Sequence, residues 1–209
     1  ANGFVSNVSS IIDNLAIPVF IDVNEDFNLN PDLIEKKITK KTKAIVVIHL
    51  HGYPANLKKI IKIAKRFKLK ILEDCSQAFG AKYNNKFVGT FGDISIFSLH
   101  PLKNLHAYGD AGIICCKNKS LYEKIKKYKN HGLLNRNTCN GWGCNCRLDE
   151  MQASLLNIII SKFNKFNKIK KDNAEYYNKN LSKILTVPIF EKDRTHTYQT
   201  YTVIAKKRD

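Results

Sequence analysis

No apolar run in this sequence approaches the length of a membrane span, and its first residues lack the charged-then-apolar layout of a secretion signal. These absences argue against a membrane protein and against a secreted one, so we expect a cytoplasmic protein. The sequence has no internal repeat either, which argues against a solenoid or a propeller. Its 209 residues are enough for one large domain, or for one domain and part of another.

Acidic residues are scarce, since 18 Asp and Glu stand against 35 Lys and Arg, which gives a formal net charge of +17. Such a basic excess is typical of nucleic-acid-binding proteins, so a non-catalytic regulator or nucleic-acid binder is one alternative. The lysines, however, alternate with Ile and Asn along predicted helix faces, and not with glycine and stacking aromatic residues. We interpret them as solvated charge that would also steer a polyanionic small substrate, and we expect no nucleic-acid partner.

Cysteine is too sparse and too irregularly spaced for a disulfide framework or a zinc site. The residues are Cys75, Cys115, Cys116, Cys139, Cys144 and Cys146. No spacing among them forms paired C-x-x-C motifs, and structural disulfides are rare in a chain of this length without a secretion signal. We expect reduced thiols and no metal, and we assign no role to Cys139, Cys144 and Cys146.

The sequence does contain the alternation of strand and helix patterns that is typical of an α/β domain. A β-branched run at residues 43–50 predicts a strand covered on both faces. Apolar residues at helical spacing predict a helix over 57–67, and residues 70–73 predict the next strand. Such a βαβ unit requires a parallel sheet, whose ligands bind beyond the carboxyl ends of the strands, where Asp74 and Gln77 follow.

Other elements are predicted from local signals. Asn30 before Pro31 predicts the start of a short helix, and Ser120 with Glu123 forms a capping box for another. The remaining predictions are strands at 18–23, 94–97, 113–116 and 196–205, a loop at 131–146, and a long amphipathic helix from about residue 148 to 182.

A single lysine, Lys103, lies in the loop between the predicted strands 94–97 and 113–116, next to Pro101 and Leu102. A lysine between two buried strands loses its proton readily and becomes an amine nucleophile that forms Schiff bases. The alternative is an ordinary loop lysine in a salt bridge. The sequence of this loop by itself is compatible with both interpretations.

Three longer stretches of the sequence resemble one protein family. They are E-D-C-S-Q-A-F-G-A (residues 73–81), F-G-D-I-S-I-F-S-L-H-P-L-K-N-L-H-A-Y-G-D-A-G (91–112) and N-C-R-L-D-E-M-Q-A (145–153), with shorter matches at 49–55 and 130–132. In order and spacing they resemble the DegT/DnrJ group of nucleotide-sugar aminotransferases, pyridoxal-phosphate enzymes of the aspartate-aminotransferase fold. The resemblance runs essentially from end to end, and its two departures, His106 and Ala111, remove no chemical role.

The resemblance implies a three-layer α/β/α domain with a mostly parallel sheet, the large domain of pyridoxal-phosphate-dependent transferases. Residues 1–185 would form this domain without its N-terminal part, and residues 186–209 would be the truncated start of a small C-terminal domain. Members of the family are much longer than this chain, and their phosphate-cradling Gly-Ser/Thr segment would precede its first residue. The chain therefore resembles a fragment, and an inactive remnant is a further alternative.

The resemblance also implies a cofactor site for pyridoxal phosphate. Lys103 matches the Schiff-base position, where it is also the group that moves the proton during catalysis. Asp74 matches the acid that pairs with the pyridinium nitrogen, and Gln77 matches the residue beside the phenolic oxygen. Ser98 matches a hydroxyl that binds the phosphate.

Two further residues are implied at the edge of this site. Asn145 matches an Asn that reaches the phosphate of the neighbouring subunit's cofactor, which implies a homodimer with shared active sites. Phe4 falls where the family places an aromatic side chain over the cofactor ring.

The implied function is transfer of an amino group from glutamate to the keto group of a nucleotide-linked sugar, for polysaccharide or glycoconjugate synthesis. Within the same fold, the alternatives are a sugar dehydratase that uses pyridoxamine phosphate and a regulatory relative. The dehydratases have no Schiff-base lysine, so Lys103 argues against that alternative.

Overall fold

The computed structural model describes residues 2–188 and 191–206. Its strands are β1 (Ala44–Ile48), β2 (Lys70–Asp74), β3 (Lys82–Tyr83), β4 (Lys86–Phe87), β5 (Ile94–Ser98), β6 (Gly112–Cys116), β7 (Leu133–Asn135), β8 (Thr138–Cys139) and β9 (Arg194–Thr195). Its α-helices are α1 (Ser6–Asp13), α2 (Leu57–Arg66), α3 (Lys119–Tyr128) and α4 (Glu150–Leu181), and short 3₁₀ helices occupy Pro31–Leu33, Glu35–Lys37 and Leu50–Gly52.

A four-stranded sheet in the order β1-β2-β5-β6 forms the centre of the fold. β1 pairs with β2, and β2 with β5, in parallel, whereas β5 and β6 are antiparallel. The predicted βαβ unit and the mostly parallel sheet are therefore confirmed, with α2 as the crossover helix. Because β1, β2 and β5 run in one direction, their carboxyl ends meet at the same edge of the sheet.

Helix α2 forms because its apolar residues recur on one face and its first turn is capped. The side chain of Asn56 accepts a hydrogen bond of 3.2 Å from the amide of Lys59, which satisfies one of the amides left unpaired at a helix start. The buried face of the helix packs against the buried residues of β1 and β2 in the larger core cluster. Its main members are Leu57, Ile60, Ile63, Ala64, Ile45, Val47 and Ile71.

A second core cluster joins helix α4 to the loop that carries Lys103. Its buried members are Leu99, Leu105, Ala107, Leu156 and Phe163. Phe79 links this cluster to the sheet, because its ring meets Phe97 and Phe163 edge-on at centroid distances of 5.8 and 5.1 Å. The Lys103 loop is thus anchored at both ends by buried apolar side chains.

Two strand predictions are wrong within the described part of the chain. Residues 18–23 contribute only an isolated bridge between Val23 and Leu29, and Phe20 is 58% exposed because no described strand pairs with it. Residues 196–205 contribute only an isolated bridge between Ile204 and Thr186. The amides of Thr197 and Thr200 donate to the carbonyls of Gly52 and His51 in the 3₁₀ helix Leu50–Gly52, so no described strand pairs with this segment.

The burial predicted for the strands around Lys103 is also wrong. In β5 the one buried side chain is that of Ser95, while Ile94, Ile96 and Phe97 are only partly buried. β6 lies at the edge of the sheet and is largely exposed, with Ile114 at 52%. Lys103 therefore does not lie between two buried strands.

Some of the remaining local predictions are confirmed and others are wrong. The helix start at Asn30 and the long helix α4 are confirmed. The cap of α3 is Asn118 and not Ser120, because the Asn118 side chain accepts from the amide of Leu121 at 2.9 Å. The predicted loop at 131–146 contains the short hairpin β7–β8.

All six cysteines are free thiols. Among the described residues, no helix combines the length and the apolar character that a bilayer span requires.

Candidate active site

An open cavity of about 760 Å³ lies at the carboxyl ends of the parallel strands. All six residues singled out from the sequence line it: Phe4, Asp74, Gln77, Ser98, Lys103 and Asn145. The volume is within the range of roughly 300–1,000 Å³ that is typical of small-molecule sites. These residues come from the segment before α1, two sheet strands and three loops, so the fold brings together positions that are far apart in the chain.

Asp74 ends β2 and is 6% exposed. Its Oδ1 accepts a hydrogen bond of 2.9 Å from the amide of Ser76, and its Oδ2 accepts one of 2.8 Å from Asn7 Nδ2. Asn7 belongs to α1 and was missed by the sequence analysis, since nothing in its neighbourhood distinguishes it from the other Asn residues of the chain. The two bonds fix the orientation of the carboxylate at the cavity wall.

Gln77 is held by its side-chain carbonyl, whose Oε1 accepts a hydrogen bond of 2.7 Å from the amide of His51. His51 has a φ of 58°, a left-handed conformation that directs its amide toward this oxygen. Because Oε1 is engaged, Nε2 of Gln77 is the group that this side chain offers to a ligand in the cavity.

Lys103 is half-buried and lies on the cavity. No carboxylate of the described residues lies within ion-pair distance of its Nζ, which counts against the salt-bridge interpretation. Its backbone is held locally, since its amide donates to the carbonyl of His100 at 2.8 Å and its carbonyl accepts from His106 Nδ1 at 3.2 Å.

The neighbours of Lys103 are also held by residues from the C-terminal part of the chain. Gln199 Nε2 donates to the carbonyl of Leu102 at 2.6 Å, and Gln199 Oε1 accepts from the amide of Asn104 at 2.9 Å. The side chain of Asn104 donates to the carbonyl of Thr197 at 2.8 Å. These contacts hold the residues immediately before and after Lys103.

Lys170 of α4 adds one further contact to this network, because its Nζ donates to Asn104 Oδ1. Burial lowers the pKa of Lys170 below its usual value. The hydrogen bond nevertheless fixes the side chain of Asn104 between helix α4 and the segment around Thr197. Neither Gln199 nor Lys170 was singled out from the sequence, because the contacts are made between segments that are far apart in the chain.

Asn145 lies in the wall of the cavity of its own chain. Its backbone forms an antiparallel bridge with Asn130, and its Oδ1 accepts a hydrogen bond of 3.0 Å from Arg147 Nε. Arg147 also lines the cavity and supplies a permanent positive charge there. Arg147 was not singled out from the sequence. Its positive charge, within the N-C-R sequence of residues 145–147, is the feature from which a phosphate-binding role could have been predicted.

Ser98 and Phe4 lie on the cavity with few contacts of their own. The hydroxyl of Ser98, at the end of β5, accepts a weak hydrogen bond of 3.3 Å from the amide of His100. Phe4 precedes α1 and is 70% exposed. Both side chains are therefore available to a ligand.

A buried carboxylate, Glu73, supports the strand end that carries Asp74. Its Oε1 accepts hydrogen bonds from the amides of Phe91 and Gly92 at 2.8 and 2.6 Å, and its Oε2 accepts from the amide of Gly89 at 2.8 Å. Gly89 has a φ of +86°, and a Cβ there would lie 2.5 Å from the Phe97 ring, so the turn requires glycine. Burial by itself would raise the pKa of Glu73, but these bonds and His49 outweigh it and the pKa is lowered.

His49 completes this buried network. Its Nδ1 accepts the amide hydrogen of Ala55 at 3.1 Å, so the proton of the neutral ring lies on Nε2, which donates to Glu73 Oε2 at 3.1 Å. Cys75 lies beside them, with potential ligand atoms of the three residues within 4.8 Å of one another. Both ring nitrogens and both carboxylate oxygens are already used by protein hydrogen bonds, so we interpret the cluster as structural.

Comparison with known proteins identifies the same family that the sequence motifs resemble. The model of the DegT/DnrJ/EryC1/StrS aminotransferase family matches residues 1–209. The chain is 37% identical to a dTDP-3-amino-3,6-dideoxy-alpha-D-galactopyranose transaminase from Aneurinibacillus thermoaerophilus, over 100% of this chain and 58% of that protein. It is also 37% identical to a pleiotropic regulatory protein from Geobacillus stearothermophilus, over 99% of this chain and 57% of that protein.

Solved structures share the fold. DesV from S. venezuelae, in complex with a ketimine intermediate, superposes with a TM-score of 0.94 at 31% identity, over 99% of this chain and 56% of DesV. NtdA from Bacillus subtilis, with bound cofactor PMP, superposes with a TM-score of 0.86 at 27% identity, over 97% of this chain and 47% of NtdA. The predicted fold class, a three-layer α/β/α domain with a mostly parallel sheet, is thereby confirmed.

The chain spans less than three fifths of the length of the curated relatives described above. The family match extends over residues 1–209 and therefore includes every residue that lines the cavity. The chain therefore belongs to the DegT/DnrJ/EryC1/StrS aminotransferase family.

Proposed function

We propose that the protein is a pyridoxal-phosphate-dependent aminotransferase that moves an amino group from glutamate to the keto group of a nucleotide-linked sugar. The observation that carries the proposal is the convergence of Lys103, Asp74, Gln77 and Ser98 on one cavity. Membership of a sugar-aminotransferase family supports the reaction class. The net charge of +17 suits a polyanionic nucleotide-linked substrate.

The side chains on the cavity match the four polar groups of pyridoxal phosphate. They offer an amine for the aldehyde (Lys103), a carboxylate for the ring nitrogen (Asp74), an amide for the phenolic oxygen (Gln77), and a hydroxyl and a guanidinium for the phosphate (Ser98 and Arg147). When bound, the cofactor supplies the aldehyde that captures amines and a ring that accepts electrons from the reacting carbon. The donor set of the chain therefore fits this group.

Lys103 has two roles in this proposal. Its Nζ would hold the cofactor through the aldehyde until the amino donor takes its place. The free amine would then carry a proton between the reacting carbon of the substrate and the cofactor, in one direction for the donor and in the opposite direction for the keto-sugar. The hydrogen bonds on both sides of Lys103 hold the loop that carries Nζ at the cavity.

Asp74 would hold the proton on the ring nitrogen, because a carboxylate beside a basic nitrogen favours its charged form. Ser76 and Asn7 occupy one lone pair on each carboxylate oxygen and keep the group in place. Gln77 Nε2 would donate to the phenolic oxygen, and Phe4 would cover the ring. Each of these roles is carried over from the family resemblance and is supported by the position of the residue on the cavity.

We further propose that the protein is a homodimer in which Asn145 binds the phosphate in the neighbouring subunit's site. In that assembly, residues 1–185 belong to the large domain and residues 186–209 begin the small one. The product would serve polysaccharide or glycoconjugate synthesis in the cytoplasm.

A direct test is to incubate the chain with pyridoxal phosphate, reduce it with borohydride, and locate the pyridoxyl group by peptide mass spectrometry. We expect the label at Lys103, and its loss in Lys103→Ala with the background on exposed lysines unchanged. Lys86, an exposed lysine of β4, is the matched control position. Label spread over exposed lysines with none at Lys103 would contradict the proposal.

A regulatory role is the second candidate, because one relative at 37% identity carries the name of a regulatory protein. This role does not require chemistry at Lys103. Lys103→Ala separates the two candidates, because a regulator that only binds ligand would keep its ligand affinity while an aminotransferase would lose the reaction.

A further inference from the structure

Two thiols flank Asn145 on the wall of the cavity. The Sγ atoms of Cys144 and Cys146 lie 3.3 Å apart, and Cys146 itself lines the cavity. In the single chain Cys146 is exposed and Cys144 partly exposed, so a small oxidant in solution reaches both thiols there. Neither residue has a role in the amino-transfer chemistry proposed above.

The backbone between the two thiols is extended and is held by a neighbouring segment. The amide of Cys144 donates to the carbonyl of Tyr128 at 2.8 Å, and the amide of Cys146 donates to the carbonyl of Lys129 at 2.9 Å. The amide of His131 donates to the carbonyl of Cys144 at 3.0 Å. In extended backbone, side chains two positions apart lie on the same side, which explains why the thiols meet.

The distance between the Cα atoms of Cys144 and Cys146 in such extended backbone is close to the largest that a disulfide tolerates. Two residues of extended chain separate Cα atoms by roughly 6.4–6.8 Å. A disulfide usually requires Cα atoms about 4.4–6.8 Å apart, most often near 5.5–6 Å, and sulfur atoms about 2.05 Å apart. Closing the pair therefore shortens the segment and bends it at Asn145, against the hydrogen bonds to Tyr128 and Lys129.

We propose that Cys144 and Cys146 are a site of reversible disulfide formation, and that the disulfide bends the backbone at Asn145 and withdraws this residue from the phosphate site to which it contributes. Exposed and strained disulfides are the readily reduced ones, so the bond is expected to open again with small thiols. The effect on the cofactor rests on the proposed function, because it requires that Asn145 contribute to a phosphate site.

The oxidant in this proposal is a small-molecule disulfide such as oxidised glutathione. One of the two thiols attacks the glutathione disulfide as its thiolate, forms a mixed disulfide and releases one glutathione thiolate. The other thiol then loses its proton and attacks the protein sulfur of the mixed disulfide, which releases the second glutathione. Two protein thiols and one oxidised glutathione thus give one protein disulfide and two glutathione thiols.

The test starts with the intact chain titrated with oxidised glutathione and measured by mass spectrometry. We expect a loss of about 2 Da for the two hydrogens, restored by dithiothreitol. Trypsin cleaves after Arg136 and Arg147, and chymotrypsin cleaves after Trp142, which is 97% exposed. This digestion separates Cys139 from the peptide 143–147, so the position of the disulfide is decided directly.

Two further readouts test the bend at Asn145. Oxidation is expected to speed hydrogen exchange at the amides of His131, Cys144 and Cys146, which donate the backbone hydrogen bonds that the bend breaks. It is also expected to weaken pyridoxal-phosphate binding roughly tenfold, the value of about one hydrogen bond to a charged group. The double variant Cys144→Ser/Cys146→Ser should show neither change under the same oxidant, whereas Cys139→Ser, a neighbouring exposed thiol, should behave as the parent chain.

Stable glutathione adducts at Cys144 or Cys146, a disulfide that involves Cys139, or a Cys144–Cys146 disulfide without faster exchange would each overturn the proposal. If the reduced chain fails to bind pyridoxal phosphate, the proposed function is contradicted. Mass spectrometry and amide hydrogen exchange would still show whether the disulfide forms and whether it bends the backbone.

Discussion

Gln199 holds the backbone on both sides of Lys103, by a bond of 2.6 Å to the carbonyl of Leu102 and one of 2.9 Å from the amide of Asn104. A side chain from the C-terminal part of the chain thus positions the loop of the candidate catalytic lysine. Gln199 also lines the cavity, so its contribution to cofactor binding can be measured.

Gln199→Ala should weaken pyridoxal-phosphate binding roughly 5- to 150-fold, because each of its two hydrogen bonds contributes about 0.5–1.5 kcal/mol to holding the loop. The measurement is a titration with pyridoxal phosphate followed by absorbance. Gln152→Ala is a matched control, since Gln152 makes the same pair of backbone bonds to Tyr108, at 2.8 and 3.1 Å, and does not line the cavity. Equal losses in the two variants would mean that Gln199 has no specific relation to Lys103.

Asp74→Asn should leave the cofactor attached to Lys103 and slow its reaction with the amino donor by roughly 10²- to 10⁴-fold. The neutral amide no longer stabilises a protonated ring nitrogen, although its carbonyl can still accept from the Ser76 amide. The rate is followed as the spectral change after glutamate is added. Asp110→Asn removes a negative charge from the same cavity and should have a small effect, so comparable slowing in both variants would count against the assigned role of Asp74.

Mixing two inactive variants tests whether active sites are shared. If Asn145 serves the neighbouring subunit, a dimer of Lys103→Ala with Asn145→Ala contains one site with both residues intact. Random mixing would then restore about a quarter of all sites, measured as cofactor absorbance or activity. If Asn145 serves only its own chain, the mixture recovers nothing, and each variant alone provides the baseline.

Glu73→Gln should destabilise the fold by about 1–3 kcal/mol at neutral pH. The amide nitrogen of Gln would meet a hydrogen-bond donor wherever it is placed, because all four partners of Glu73 donate. The pKa of Glu73 is lowered in the folded chain, so its stabilisation is complete above the unfolded value of about 4.3 and is lost as the pH falls through the folded value.

Urea unfolding of parent and variant between neutral and acidic pH measures this effect. The difference in unfolding free energy should shrink as the solution is acidified below about pH 4. A difference that stays constant with pH would show that the ionised carboxylate is not the stabilising species.

The sheet and the candidate site could be predicted from sequence where the signal is local. The β-branched run before His49 and the helical spacing after Leu57 specify strand and helix without outside help, and Asp74 follows the strand of residues 70–73 directly. The family resemblance then identified Lys103 among many lysines.

Other features depend on partners that are far away in the chain. Whether Phe20 or Tyr201 lies in a strand depends on a neighbouring strand, and local β propensity carries no information on that. The contacts of Gln199, Asn7 and Lys170 arise only when the chain has folded, so these residues were missed.

Binding of pyridoxal phosphate through Lys103 is tested most directly by the absorbance spectrum of the chain titrated with the cofactor, beside Lys103→Ala. We expect a visible band of the lysine-bound cofactor in the parent chain and no such band in the variant. A band of equal strength in both proteins would contradict the role of Lys103, and the absence of a band in both would contradict a working cofactor site in this chain.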